Sequence, residues 1–329
     1  MTRLGNGRSQ RVIHNKVVHA PDRIWPQASE TFVVTPQIEE LAERTLTYLD
    51  AGYPINLSGP AGTGKTTLAL YVASKLGQPV TLIHGDDEFG SSDLVGNETG
   101  YRKNRLVDNY IHSVLKEEET MRMLWIDNRL TTACRYGHTL VYDEFTRSRP
   151  EANNVLLSVL GEGLLSLPKL RYAGEGYLKV DPAFRAIFTS NPKEYAGIHK
   201  SQDALMDRLI RVHVDHYDRD TEVAITARRS GVCEADAARV VDMVRRCRAQ
   251  GIRGHRPSIR ASIMITRIVA RVSASFDPLD PVFQRTCRDV LGLDALDAGG
   301  SELPSAPEAA EADLENACEL VGTALGNSD

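Results

Sequence analysis

The chain has 329 residues, 42% apolar and 25% charged, and its 39 Lys+Arg against 44 Asp+Glu leave a formal charge of −5 at pH 7. That balance argues against a protein that coats nucleic acid through bulk charge, and no run approaches the roughly 18–20 apolar residues of a membrane-spanning helix. Length and apolar share suit one large domain with a smaller companion.

Residues 1–30 are polar, carry Pro21 and Pro26 and show no period, so they read as an irregular arm. Arg3, Arg8, Arg11 and Lys16 have no apolar run behind them, which a secretory signal would need. A helix follows Pro36, with Ile38, Leu41, Ala42, Thr45, Leu46 and Leu49 on one face, and Gly52 and Pro54 end it. A strand over Ile55–Ser58 runs into a glycine-rich loop. The next helix starts near Lys65, carries Leu68, Ala69, Val72, Ala73 and Leu76, and closes at Gly77. Further strands are expected over 79–84, 139–142, 186–189 and 212–214, with helices between them. One of these helices covers 151–160 and turns Val155, Leu156, Val159 and Leu160 inward. Such alternation predicts an α/β domain around a mainly parallel, five-stranded sheet.

From about Asp218 only helical patterns remain. Asp220 can cap one helix, Ala237, Val240, Val241 and Val244 mark a second, and Ser258 opens a third containing Ile259, Ile263 and Ile268. This is the pattern of a small helical domain. Residues 297–312, rich in Gly, Ser, Pro, Ala and Glu, read as a flexible linker before a short terminal helix. The expected division is an arm at 1–30, an α/β domain at 31–217, a helical domain at 218–280 and a tail at 281–329. Five scattered cysteines (Cys134, Cys233, Cys247, Cys287, Cys318) form no Cys-x-x-Cys pair and read as reduced thiols, which points to the cytoplasm.

The strongest chemical signal is Gly59-Pro60-Ala61-Gly62-Thr63-Gly64-Lys65-Thr66, followed by Thr67, between a strand and a helix. It matches G-x-x-x-x-G-K-[ST], a phosphate loop. The glycines let the backbone curl so that N–H groups face the phosphates, and the helix N-terminus adds its positive end. Lys65 would reach the outer phosphates of ATP and the Thr66 hydroxyl would bind Mg²⁺. A second signal is Leu140-Val141-Tyr142-Asp143-Glu144, an apolar strand ending in two acids. Phosphoryl transfer to water needs a carboxylate near the metal, here Asp143, and a base that orients the water, here Glu144. A third is Ile187-Phe188-Thr189-Ser190-Asn191-Pro192, where Asn191 at a strand tip could hold the water or the γ-phosphate. Arg208 and Arg260 by spacing alone would read as surface charges. The run His84-Gly85-Asp86-Asp87-Glu88 reads as an acidic loop. The arginines at 245, 246, 248, 253, 256, 260, 267 and 271 read as helix faces and subunit contacts, because no aromatic residues interleave them.

The ordered motifs GPAGTGKTT, LVYDEFTRSRPEANNVLL, AIFTSNP and ALMDRL resemble those of AAA+ ATPases of the MoxR-like branch. Longer runs, among them LIHGDDEFGSSDLVGNETGYR and FTSNPKEYAGIHKSQDAL, resemble the gas vesicle protein N family within it, over about residues 31–275. The resemblance implies an AAA+ P-loop domain, layered α/β/α, with a helical lid, binding ATP and Mg²⁺. It makes Glu144 the catalytic base, Asn191 the first sensor, Arg208 a finger reaching a neighbour's ATP and Arg260 the second sensor. Arg147 becomes a further interface arginine. It implies an insertion at 97–128 and a β-hairpin at 164–180. Tyr142 departs from the aliphatic residue common before the acid pair. The implied function is ATP-driven assembly or remodelling in gas vesicle formation, by a self-assembled ring, usually a hexamer, acting on a shell or accessory protein. Neither nucleic acid nor a lipid membrane is an expected partner. Two other readings stand beside it: a nucleotide-dependent scaffold with negligible turnover, and a chaperone that inserts a metal or cofactor into another enzyme.

Overall fold

The computed structural model describes residues 32–108, 116–167, 176–192, 203–250 and 256–292, and for 97–126 the backbone alone. The expected arm at 1–30, the linker at 297–312 and the terminal helix lie outside the described residues.

Helix α1 (Pro36–Asp50) buries Ile38, Ala42, Thr45 and Leu49 at helical spacing. Strands β1 (Ile55–Ser58) and β5 (Thr139–Asp143) are buried at every position, as strands covered by helices on both faces must be. With β2 (Val80–His84), β8 (Arg185–Ser190) and β9 (Ile210–His213) they form a five-stranded sheet in the order β2-β5-β8-β1-β9. Every pairing in it is parallel.

Alternation along the strands fills two cores. Leu140, Tyr142 and Phe188 point to one face, where they meet Leu94, Leu130, Phe145 and Leu156. Val141 and Ile187 point to the other, against Leu57, Val212 and the inner faces of α1 and α2 (Lys65–Lys75) through Leu49, Leu68 and Val72. All five strands run the same way, so the loops after β1, β5 and β8 open on one edge. In such sheets ligands bind there.

Two antiparallel hairpins leave this layer. β3 (Gly96–Asp108) and β4 (Lys116–Asp127) pair between helices α3 (Ser91–Val95) and α4 (Arg129–Tyr136). β6 (Leu164–Ser166) and β7 (Tyr177–Lys179) form the second.

Some boundaries differ from the sequence reading. The last strand begins earlier than residue 212, because Ile210 N–H donates to Pro54 O at 3.0 Å and Val214 N–H to Ser58 O at 2.8 Å, closing the ladder at both ends. The helix expected over 151–160 is broken into α5 (Pro150–Asn153) and α6 (Val155–Glu162). At this end of α5 the buried Asn153 side-chain amide donates to Phe145 O at 3.1 Å, tying the helix to the segment after β5. Asp218, not Asp220, caps α8 (Arg219–Ser230), accepting from Thr221 N–H at 2.7 Å.

The helical unit adds α9 (Glu234–Gln250), α10 (Ile259–Arg271) and α11 (Pro281–Leu291). Its core joins Val240, Val244, Ile265 and Val269 to Phe283, Cys287 and Leu291. Its packing therefore runs on through α11, past the boundary expected at 280. Among the described residues no helix is long and apolar enough to cross a membrane.

Glu222 on α8 is fully buried. It accepts from Arg248 at 2.7 Å and from Arg245 at 3.1 Å, and Arg248 Nε donates to Pro257 O at 2.7 Å. Removing one member of a buried ion cluster strands the others. Glu222→Leu is therefore expected to destabilise the protein by about 3–5 kcal/mol, measured by urea unfolding against the parent chain.

Candidate functional site

The loop from Gly59 to Lys65 is shaped by glycine. Gly62 and Gly64 adopt φ of 79° and 84°, the left-handed region where a Cβ is costly. Gly59 passes so close to the Val214 carbonyl that any side chain there would collide with it. The Thr63 hydroxyl donates to Pro60 O at 3.1 Å and tightens the turn. The buried Lys65 ammonium donates to Gly59 O at 2.9 Å and Pro60 O at 2.6 Å, which holds the charge at the mouth of the loop.

Asp143 ends β5 beside this loop and is largely buried. Its Oδ1 accepts from the Thr66 hydroxyl, 77 residues earlier in sequence, at 2.6 Å. The same oxygen accepts from the Thr189 hydroxyl at 2.6 Å. On the other side of the carboxylate, His84 Nδ1 lies 3.5 Å from Oδ2. Glu144 follows in a left-handed conformation, φ 50° and ψ 40°. For a residue with a Cβ this costs roughly 1–2 kcal/mol and persists only where neighbours impose it. The Glu144 carboxylate is half-exposed and pairs with Arg147 at 2.9 Å.

Asn191 is buried at the end of β8, next to Ser190, whose carbonyl accepts from Gly59 N–H at 3.3 Å. Arg260 is exposed in the first turn of α10, with its side chain over Gly62. Ser258, the cap of that helix, stands so close to Gly62 that a Cβ on the glycine would strike its side chain. Arg208 lies elsewhere. It follows α7 (Asp203–Met206), donates to Ala204 O at 2.6 Å and packs on Gly161 of α6. The structure thus gathers Lys65, Thr66, Asp143, Glu144, Asn191 and Arg260 around one loop and sets Arg208 against different helices.

Tyr142, the departure noted in the sequence, has a structural reason. Its hydroxyl donates to Ser148 Oγ at 2.7 Å, and Ser148 Oγ accepts from Asp86 N–H at 3.1 Å. Burial pushes the phenol up to about 12, so it remains a donor at neutral pH. An aliphatic residue could not anchor the acidic loop in this way. Sequence reading placed Ser258 only at the start of a helix and His84 only in an acidic loop, and it missed Ser148 and Thr189 as site residues.

The donor set suits magnesium. Thr66 and Asp143 offer hard oxygen atoms at hydrogen-bonding separation. Among the described residues no three His, Cys, Asp or Glu side chains converge on a point. An ion held here would take its remaining oxygens from phosphates and water, as Mg²⁺ does.

A loop of this kind after β1, an acid pair closing the strand two places away, and a helical lid capped against the loop together define a P-loop protein of the AAA+ class. Consistently, residues 54–209 match the family model described as AAA domain (dynein-related subfamily). Relatives narrow this further. The chain is 51% identical over 288 residues to the gas vesicle ATPase GvpN of Ancylobacter aquaticus, covering 88% of this chain and 80% of that protein. It is 41% identical to the gas vesicle ATPase GvpN of Haloferax mediterranei, covering 88% and 82%. Identity falls to 28% for protein CbbQ of Hydrogenophilus thermoluteolus, over 61% of this chain and 67% of that one. The chain belongs to the gas vesicle ATPase GvpN family.

Gly62→Ala would put a methyl group into a left-handed turn and against Ser258. It is expected to weaken binding of a fluorescent ATP analogue by about tenfold or more, the equivalent of roughly 1–2 kcal/mol, as read by anisotropy titration.

Proposed function

We propose that the chain binds MgATP in this loop, hydrolyses it, and uses the cycle as an assembly or remodelling factor in gas vesicle formation. The observation that supports this reading is the Thr66–Asp143 bond, which brings the glycine-rich loop beside the acid pair Asp143-Glu144. Lys65 binds the outer phosphates. Thr66 and Asp143 would hold the metal, which when bound would neutralise charge on the phosphates. Glu144 accepts the proton of the attacking water, and Asn191 orients that water or the γ-phosphate. Arg260 reaches the nucleotide from the lid, expected at 218–280, over the α/β domain expected at 31–217.

Arg208 stands apart from the loop and serves a neighbour's nucleotide. This calls for a ring closed by heterologous contacts, in the resemblance a hexamer. The gas vesicle setting rests on the two relatives at 51% and 41% identity, against 28% for CbbQ. The partner fitting that setting is a shell or accessory protein in the cytoplasm, with no role for nucleic acid or lipid.

One observation favours a second reading, a nucleotide-dependent scaffold. The Glu144 carboxylate is engaged by Arg147, and a base so held is slow to take a proton. Steady-state ATP hydrolysis across a protein concentration series separates the two. The motor reading expects turnover per subunit to rise with concentration, and Glu144→Gln to lose about 100-fold or more while still binding ATP. Arg208→Ala should lose activity without losing nucleotide. Wild-type turnover equal to that of Glu144→Gln at every concentration would leave the scaffold.

A further inference from the structure

The last register pair between β5 and β8 is Tyr142 with Phe188. One step further, where the strand ladder stops, a side chain takes over. The Thr189 hydroxyl accepts the Glu144 N–H at 2.9 Å and donates its own proton to Asp143 Oδ1 at 2.6 Å. A hydroxyl has one proton to donate, and here that proton is spent on Asp143 while a lone pair serves Glu144. Thr189 is fully buried, so water cannot replace either bond without opening the core.

The geometry points to Thr189 as a positioning residue that couples the metal-binding acid to the catalytic base. This rests on the reading of Asp143 and Glu144 given above. The left-handed backbone of Glu144 is held from two sides. Its N–H is fixed by Thr189. Its carbonyl is faced so closely by Gly85 that a Cβ there would collide, and Gly85 N–H in turn donates to Asp143 O at 2.7 Å. Among the described residues only Glu144 and Ser273 are non-glycine residues at positive φ. Without the hydroxyl, Glu144 loses the partner of its N–H and is free to relax towards ordinary backbone angles, moving its carboxylate off the water. Asp143 Oδ1 keeps Thr66 as donor, and Thr66 is the residue the metal also claims. A metal bound here would take a lone pair of the Thr66 oxygen, and Thr189 would hold Asp143 in place as Thr66 shifts to meet it. The methyl group plays no part in either bond.

Thr189→Val keeps the volume and the strand preference but removes the hydroxyl. Thr189→Ser keeps the hydroxyl and removes the methyl. Two experiments are run on the full chain: titration of a fluorescent ATP analogue in magnesium and in EDTA for affinity, and steady-state kinetics for kcat and KM for ATP. In Thr189→Val the gain in affinity on adding magnesium, and kcat, are each expected to fall by about 10–100-fold, the usual scale for the outer partners of a metal ligand. Affinity in EDTA should stay at the wild-type value, and Thr189→Ser should restore both losses. A Val variant that keeps the magnesium gain and kcat overturns the assignment. So does a Ser variant as impaired as Val, which would place the effect in packing. Thr189→Ala gives the same reading if the Val variant does not fold. A wild type that turns over no faster than Glu144→Gln sinks the hydrolysis reading alone, because the magnesium comparison still decides Thr189. A wild type that binds the analogue equally in magnesium and EDTA removes the metal reading and this role together.

Discussion

At Asp143 Oδ1 two hydroxyls meet, one from the start of α2 and one from the end of β8, on an acid that ends β5. A carboxylate oxygen taken out of water needs donors, and both of these come from segments far apart in the chain. The phosphate loop can therefore lie beside the acid pair only when β1, β5 and β8 share one sheet in the right register. The parallel order supplies this, since it brings the C-terminal ends of all three strands to one edge.

The same constraint explains which residues are buried. Val141 and Ile187 press on α2 from below, and Leu140, Tyr142 and Phe188 are pinned on the opposite face by Leu130, Phe145 and Leu156. Each core sets the height of a strand end, and an error there would separate hydroxyl from carboxylate. Tyr142 and Ser148 extend the arrangement outward, tethering the loop that carries Asp86 to the segment after Glu144.

Much of this was legible in the sequence where the signal is local. The phosphate loop is a contiguous run whose glycines each answer a backbone requirement. The acid pair announces itself at the end of an apolar strand, and strands buried on both faces read as uninterrupted apolar runs. What depended on tertiary neighbours was not legible. Thr189 in a strand looks like an ordinary β-branched residue, and only the pairing of β5 with β8 gives its hydroxyl two partners. Asp218 and Asp220 offer equal carboxylates, and the point where the chain turns chooses between them. The break at Asn154, between α5 and α6, is marked by no periodicity in the sequence. Helix α11 is short, and its place in the lid shows only when Phe283 and Cys287 meet Val240 and Ile265.

The buried Glu222 cluster has a mechanical meaning. Arg245 also donates to the carbonyl of Tyr217 at 3.0 Å, while the Tyr217 ring is embedded in the core beneath the phosphate loop. The polypeptide joining the two bodies is gripped by both, so the joint has little slack. Arg248 ties the same cluster to Pro257 O, just ahead of α10. With its first turn against Gly62 and 13 residues in its body, α10 is a stiff arm about 20 Å long. A tilt of about 10° at the loop would swing its far end by some 3 Å, by the length of that arm. A small tilt where α10 meets Gly62 would thereby be enlarged along the length of the helix.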